Sequence, residues 1–321
     1  MPFRNRSSPE DQQRLMQAQQ EALDSQRSLE AGGLPTQAIR RLKEETAAGH
    51  PLFSSDLSTN EFLLTRNSGY VALSQVMGSS IYQIGWQYTR NYSSYSTLYE
   101  LTTLSNAHQH AAQLALGRLE QEATLLKAHG VIGVRLAISE YEWGSNLMEY
   151  TAIGTAIRLQ NVSPPASPFL SDLSGQEFWT LLQAGYYPVG LVTGYCSYCV
   201  SSGWDLNQRL RSWYNQEISE YTQALYDARG LAMSRAESMA RKLKAVGIVG
   251  VQIGYRKQQY EYESEPTHTT YRDLFVHFSV VGTAITAQRK EHVIPSPKPT
   301  LTFTDLRPGR RGETRELTIR G

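Results

Sequence analysis

Cys196 and Cys199, in the run CSYC, form the sharpest chemical pattern in the chain. Two thiolates are half of a tetrahedral zinc site, and a residue such as His268 could add a ligand. No second CxxC follows in the 321 residues. Along a strand, residues three apart also turn to opposite faces, which prevents shared chelation. A thioredoxin-type pair should open a helix in a βαβ unit, whereas this pair falls in an expected hairpin. Structural burial of both thiols is the first reading, with a divalent metal on Cys196 and Cys199 as the alternative.

His108, His110 and His129 invite the same question. On a helix, positions two apart are turned about 200° from each other, so His108 and His110 cannot share one ion. His108 falls on an apolar helix stripe, where a packed, hydrogen-bonded imidazole is expected. His277 stands between Val276 and Phe278 in an expected strand and faces away from both. Aromatic residues are dense in and around the expected hairpins: Tyr82, Trp86, Tyr88, Tyr92 and Tyr95, then Tyr195, Tyr198, Trp204, Trp213 and Tyr214. Such a surface could stack a flat ligand or unpaired bases, but aromatic residues are also favoured in protein interfaces. A net charge of +1 favours the interface and gives no reason to expect nucleic acid. The sequence contains no Walker loop, dinucleotide fingerprint or nucleophile elbow. We therefore expect no enzyme and name no catalytic residue.

The elements that must position these side chains come in duplicate. SSDLSTNEF (54–62) recurs as LSDLSGQEF (170–178), and SGYVALSQVMG (68–78) aligns with AGYYPVGLVTG (184–194). HGVIGVRL (129–136) aligns with VGIVGVQI (246–253), and TAIGTAI (151–157) with SVVGTAI (279–285). Four blocks in one order indicate a tandem duplication over 54–160 and 170–288. Each copy reads as two β-type runs, a long helix and two further strands. The first runs are YVALSQVM and SIYQIGWQY in one copy, YYPVGLVT and YCSYCVSSGW in the other. In the second copy Ile218, Tyr221, Leu225, Ala228, Ala232, Ala236, Met239, Leu243 and Val246 lie on three- and four-residue steps, the stripe of an amphipathic helix. Leu104, His108, Ala111, Ala115, Leu119, Leu126 and His129 draw it in the first.

Gly130 and Gly247 stand where a helix C-terminus favours a left-handed residue. Gly133 and Gly250 lie in the strands that follow, and Gly154 and Gly282 suggest a bulge or a close backbone approach. The fold class expected is α+β: two tandem β-β-α-β-β units, each a small antiparallel sheet with one long helix.

Around the copies, residues 1–50 read as a helical extension. Ser8 is the N-cap, Pro9 sits in the first turn, and Gly32, Gly33 and Pro35 close the first helix. Residues 161–169 form a proline-rich linker. The tail 291–321, rich in Pro and Arg and containing RPGRR, is expected to be extended or disordered. With 40% hydrophobic residues, two cysteines, no apolar run long enough to span a bilayer and no apolar leader, the chain reads as cytoplasmic.

The second copy, through YTQALYDARGLAMSRAESMARKLKAVGIVGVQI (221–253) and SVVGTAI (279–285), resembles the YbjQ-like family, which carries a heavy-metal-binding label. The first copy departs from it, with Ala112 where the second has Arg229 and His108 where it has Leu225. The resemblance implies protomers of dodecin-like topology that assemble into five-fold rings. It implies no established activity. A non-enzymatic, ring-forming homo-oligomer that presents a binding surface to a protein or small ligand is the resulting expectation, with no cofactor beyond the divalent metal alternative.

Overall fold

The computed structural model describes residues 9–47, 54–83, 95–140, 147–264, 269–287, 300–304 and 314–318. Two helices lead: α1 (Pro9–Glu30) and α2 (Thr36–Ala47). They meet at a turn where Gly32 has a φ of +79° and Ser25 bonds to the Thr36 hydroxyl. Helix α2 docks through Leu42, which is fully buried. The next helix, α3 (Thr59–Asn67), is closed by a capping box: Ser58 Oγ accepts from the Glu61 N–H, and the Glu61 carboxylate accepts from the Ser58 N–H.

Strand β1 (Tyr70–Gln83) and the short β2 (Thr97–Glu100) precede the long helix α4 (Thr102–Leu125). Strands β3 (Gly130–Glu140) and β4 (Leu147–Leu159) complete the first copy. The second begins with the two-residue strand β5 (Phe169–Leu170) and helix α5 (Gly175–Gln183), where Ser174 and Glu177 repeat the capping box. Then come β6 (Tyr186–Ser201), α6 (Trp204–Leu210), α7 (Ser219–Lys242), β7 (Gly247–Ser264) and β8 (Thr269–Ala287). Beyond residue 288, β9 (Thr300–Thr304) and β10 (Thr314–Thr318) pair as an antiparallel hairpin, which forms a separate unit.

Two four-stranded sheets result, ordered β1-β4-β3-β5 and β2-β6-β8-β7. Each contains one strand from the other copy. Strand β2 pairs antiparallel with β6, Thr97 facing Ser201, and β5 pairs parallel with β3, Gly130 facing Phe169. The copies are thus laced together by exchanged strands as well as by packing.

Several expectations need correction. The paired runs YVALSQVM/SIYQ and YYPVGLVT/YCSYCVS are each one unbroken strand, β1 and β6, so the second copy has no second strand before its long helix, the first has only the short β2, which pairs with β6 of the other copy, and CSYC lies inside a strand, not in a hairpin. The duplicated bulges, at Leu73 and Val189, bend these strands without ending them. The left-handed residues after the long helices are Lys127 and Lys244, with φ of 56° and 55°, and not Gly130 or Gly247. Gly130 is small for another reason: a Cβ there would lie 2.3 Å from the Phe169 ring. The tail contains a hairpin where extended or disordered chain was expected; RPGRR, Ser8, Trp86, Tyr88, Tyr92 and His268 lie outside the described residues.

The long helices lie close to their sheets on small residues. In α7, Ala224, Ala228, Ala232, Ala236 and Ala240 form the buried ridge, and in α4 Ala111, Ala115 and Leu119 do so. Opposite them stand Gly194 and Gly78, aligned between the copies. A Cβ on Gly194 would lie 1.9 Å from the Ala232 carbonyl oxygen, and one on Gly78 2.0 Å from that of Ala115. One arginine per helix ties the contact. Arg118 donates to Ser79 O and Arg235 to Tyr195 O, both at 2.6 Å. Their remaining nitrogens differ in use. Arg118 reaches the Leu29 and Gly33 carbonyls of the N-terminal extension, whereas Arg235 pairs with Glu100 of β2 at 2.6 Å.

This contact predicts opposite effects for two similar changes. Gly194→Ala overpacks the helix–sheet contact and lowers unfolding free energy by about 1–3 kcal/mol. Gly230→Ala, inside α7 with nothing within 4 Å, raises it by about 0.5–1 kcal/mol. Urea unfolding of the two variants checks both signs.

Candidate functional site

Helix α4 touches both sheets. It packs on β1 of its own copy and, through its N-terminal half, on β6 of the other. Ser197 is caught there: its N–H donates to Ser105 Oγ at 2.9 Å, and its carbonyl accepts from the Leu101 N–H at 2.8 Å. One turn on, Gln109 Nε2 donates to Thr193 Oγ1 at 2.8 Å. These bonds fix His108 against β6.

A cavity of about 200 Å³ opens beside it, lined from both copies. His108 and Met148 come from α4 and β4, Tyr195 from β6, Arg256 from β7, and His277 and Phe278 from β8. His108 Nδ1 bonds to the Tyr150 hydroxyl. Its ring lies 5.8 Å from that of His277 and stacks on Tyr195 at 6.2 Å. His277 Nδ1 bonds to Ser197 Oγ at 2.9 Å. Tyr195 is 3% exposed, and its hydroxyl is buried without a hydrogen-bond partner.

Burial, reinforced by His277 and by the Arg256 charge, pulls His108 down to about 3. Burial and Arg256 pull His277 to about 4. Both imidazoles are neutral at pH 7. Burial pushes the phenols of Tyr150 and Tyr195 up. Among the described residues the cavity lining therefore sets Arg256 beside two neutral imidazoles and a neutral phenol.

The packed, hydrogen-bonded His108 matches the sequence reading, and His277 does face away from Val276 and Phe278. Their meeting was not readable, since they lie 169 positions apart on different copies. His110 goes elsewhere, edge-on to Tyr82 at 5.7 Å, and His129 Nδ1 accepts from the Leu159 N–H. The capping boxes that start α3 and α5 were missed, although Ser-x-x-Glu before each β run announces them.

Cys196 and Cys199 are both buried and unpaired. Cys196 packs in the core beneath α7 beside Glu100 and Arg235, whereas Cys199 has Tyr99 and Asp273 as neighbours. Burial is the main cause that pushes each thiol up to about 12. Among the described residues no group of three or more His, Cys, Asp or Glu is placed to hold a metal ion. Of the expected aromatic surface, Tyr195 and Tyr198 are buried, and Trp213 and Tyr214 are exposed.

The family comparison meets this picture at both copies. A family model described as "Putative heavy-metal-binding" (YbjQ_1) matches residues 67–160 and 186–288. The chain belongs to this family, as two tandem copies. It is also similar to the "Encapsulin nanocompartment protein Rv1762c" of Mycobacterium tuberculosis (strain ATCC 25618 / H37Rv), 35% identical over 238 residues that cover 73% of this chain and 85% of that protein. No solved structure matches the chain. Among the described residues no helix is long and apolar enough to cross a membrane.

The neutral histidines set a pH dependence. Their folded-state values lie below the ordinary 6.5, so the unfolded chain binds more protons as pH falls. Their contribution is intact above about 6.5 and is lost progressively down to about 3–4. Thermal melts at pH 7.5 and 5 should show a larger drop for the wild type than for a His108→Asn/His277→Asn variant, which has no imidazole to charge.

Proposed function

We propose that this chain is a non-enzymatic scaffold that joins head to tail with further copies of itself. The carrying observation is a difference between two aligned valines. Val134 on β3 is 2% exposed, because the leader of the second copy lies over it: the Ser171 carbonyl accepts from the Val134 N–H, and Leu173 O accepts from the Gly133 N–H. Val251, its counterpart on β7, is 38% exposed, and Ile253 and Tyr255 follow it into solvent at 43% and 61%. Strand β7 is a sheet edge that no described segment pairs.

The same asymmetry holds at the other exchanged strand. Strand β6 receives β2, whereas β1, its counterpart, is an edge. The second-copy segment that aligns with β2 is Tyr214–Glu217, which forms no strand, and Trp213 and Tyr214 beside it are 99% and 85% exposed. Each chain thus carries one completed interface between its copies and the two unmatched halves of a second. Unpaired edges template further pairing. Because the halves differ, the contact is heterologous, closing to a ring or continuing as a filament. The similarity to a protein named for an encapsulin nanocompartment supports an assembly role. A cytoplasmic setting belongs to the same reading.

A second reading, metal binding through Cys196 and Cys199, is supported by the family's description. With both thiols held near 12, a metal would have to displace two buried protons.

Two measurements test these readings. Native mass spectrometry of the wild type should give multiples of 36.1 kDa. Asn215→Pro, which removes a strand donor from exposed chain, and Val251→Lys, which charges the β7 edge, should both shift it to the monomer with unchanged far-UV circular dichroism; a wild-type monomer removes the scaffold reading. Zinc titration of Cys196→Ser/Cys199→Ser beside the wild type decides the second, since equal affinity in the two removes it.

A further inference from the structure

The face by which α4 meets the second sheet is closed, and the aligned face of α7 is open. On α4, Ser105, His108 and Ala112 are buried, and Gln109 bonds to Thr193. Their counterparts on α7 are Thr222, Leu225, Arg229 and Tyr226. Thr222 and Leu225 are half-buried, Arg229 is exposed, and Tyr226 is 68% exposed.

The receiving strand shows the same contrast. Thr193 and Ser197, buried on β6 beside α4, align with Met77 and Ile81 of β1, which are 48% and 55% exposed. Gly78 between them turns toward α4, so strand alternation puts Met77, Ser79 and Ile81 on the outer face of the sheet. Met77 and Ile81 are open with the N-terminal helices in place. Single exposed apolar residues are ordinary; these two stand at positions that the chain buries in its own finished interface.

Backbone geometry at the open halves already matches that of the closed ones. Leu101 enters α4 with φ −84° and ψ 76°, and Ile218 enters α7 with −94° and 89°. Leu101 N–H donates to the Ser197 carbonyl, and Ser105 Oγ accepts from the Ser197 N–H. Ile218 and Thr222 hold the same two groups ready for Ile81. At the β7 edge Gly250 has a φ of +66°, against +65° at Gly133. Ser58 and Ser174 cap their helices with one geometry, φ −61° and ψ 163°. The carbonyls of Ser55 and Leu57, aligned with those of Ser171 and Leu173, therefore match the N–H groups of Val251 and Gly250.

Side chains differ as matched sets. Gln109 on Thr193 is a polar pair, whereas Tyr226 on Met77 is an apolar one. Tyr195, which stacks on His108, aligns with Ser79. The smaller serine makes room beside Leu225 for Arg229, which is larger than its counterpart Ala112.

We propose that the open face of α7 docks on the outer face of β1 in the next copy of this chain, with Tyr226 on Met77 and Thr222 beside Ile81. The leader Ser54–Ser58 of that next copy closes the Gly250–Val251 bulge of β7. This inference rests on the head-to-tail reading and names the surfaces that meet.

Sedimentation of the full chain tests it with two variants that each spoil one surface. Met77→Glu and Tyr226→Arg should each weaken self-association at least tenfold with unchanged far-UV circular dichroism. Mixed in equal amounts, they should form complexes that contain both chains in equal number, because one keeps its α7 face and the other its β1 face. Ile81→Glu should replace Met77→Glu in the mixture, and Leu15→Glu, on exposed α1, should assemble as the wild type does. Assembly of Met77→Glu or Tyr226→Arg at wild-type strength overturns the proposal and leaves the head-to-tail reading standing. A mixture of folded variants that stays monomeric overturns it as well. A monomeric wild type removes the proposal and the head-to-tail reading together.

Discussion

A strand at the margin of a sheet has backbone donors and acceptors that need partners, and the architecture follows from how this chain meets that need. A three-stranded sheet under one long helix is too small to protect its own edges. Each copy instead lends a short strand to the other: β2 crosses to β6, and β5 crosses to β3. Without these loans Val134 would be as open as Val251. The exchange makes one cooperative body of two repeats and leaves the chain with unlike free edges.

Close approach of helix to sheet is the second requirement, and it explains duplicated small residues better than backbone freedom does. Gly78 and Gly194 are needed because a helix carbonyl lies where a Cβ would be. Arg118 and Arg235 then bond the strand carbonyl one residue on. Their spare nitrogens show how duplicated halves diverge. In the second copy the partner is a glutamate from the exchanged strand, and in the first it is the turn of the N-terminal extension. The extension thus gives Arg118 the partners that β2 gives Arg235, without pairing with β1.

The cavity is a by-product of lacing the copies. Helix α4 must serve two sheets, and where it leaves β1 for β6 the two apolar surfaces do not close completely. Polar side chains collect there, the two imidazoles held neutral by low dielectric and by the Arg256 charge and the phenols by burial. His108, which replaces the apolar Leu225 of the second copy, is the clearest mark of this divergence.

The duplication, the α+β class, the long helices and the terminal helices were legible in residues, because periodicity and glycine punctuation are local. The opposite-facing cysteines were legible too, since strand alternation dictates them. Continuous β1 and β6 were not: a bulge looks like a turn in one dimension, as glycine and polar residues mark both. Nor was the helix ending at Lys127 and Lys244, where the left-handed conformation fell on residues that seldom adopt it. Strand exchange and the His108–His277 meeting belong to long-range pairing, in which the identity of a neighbour depends on how whole elements satisfy their edges. No window along the chain contains that information.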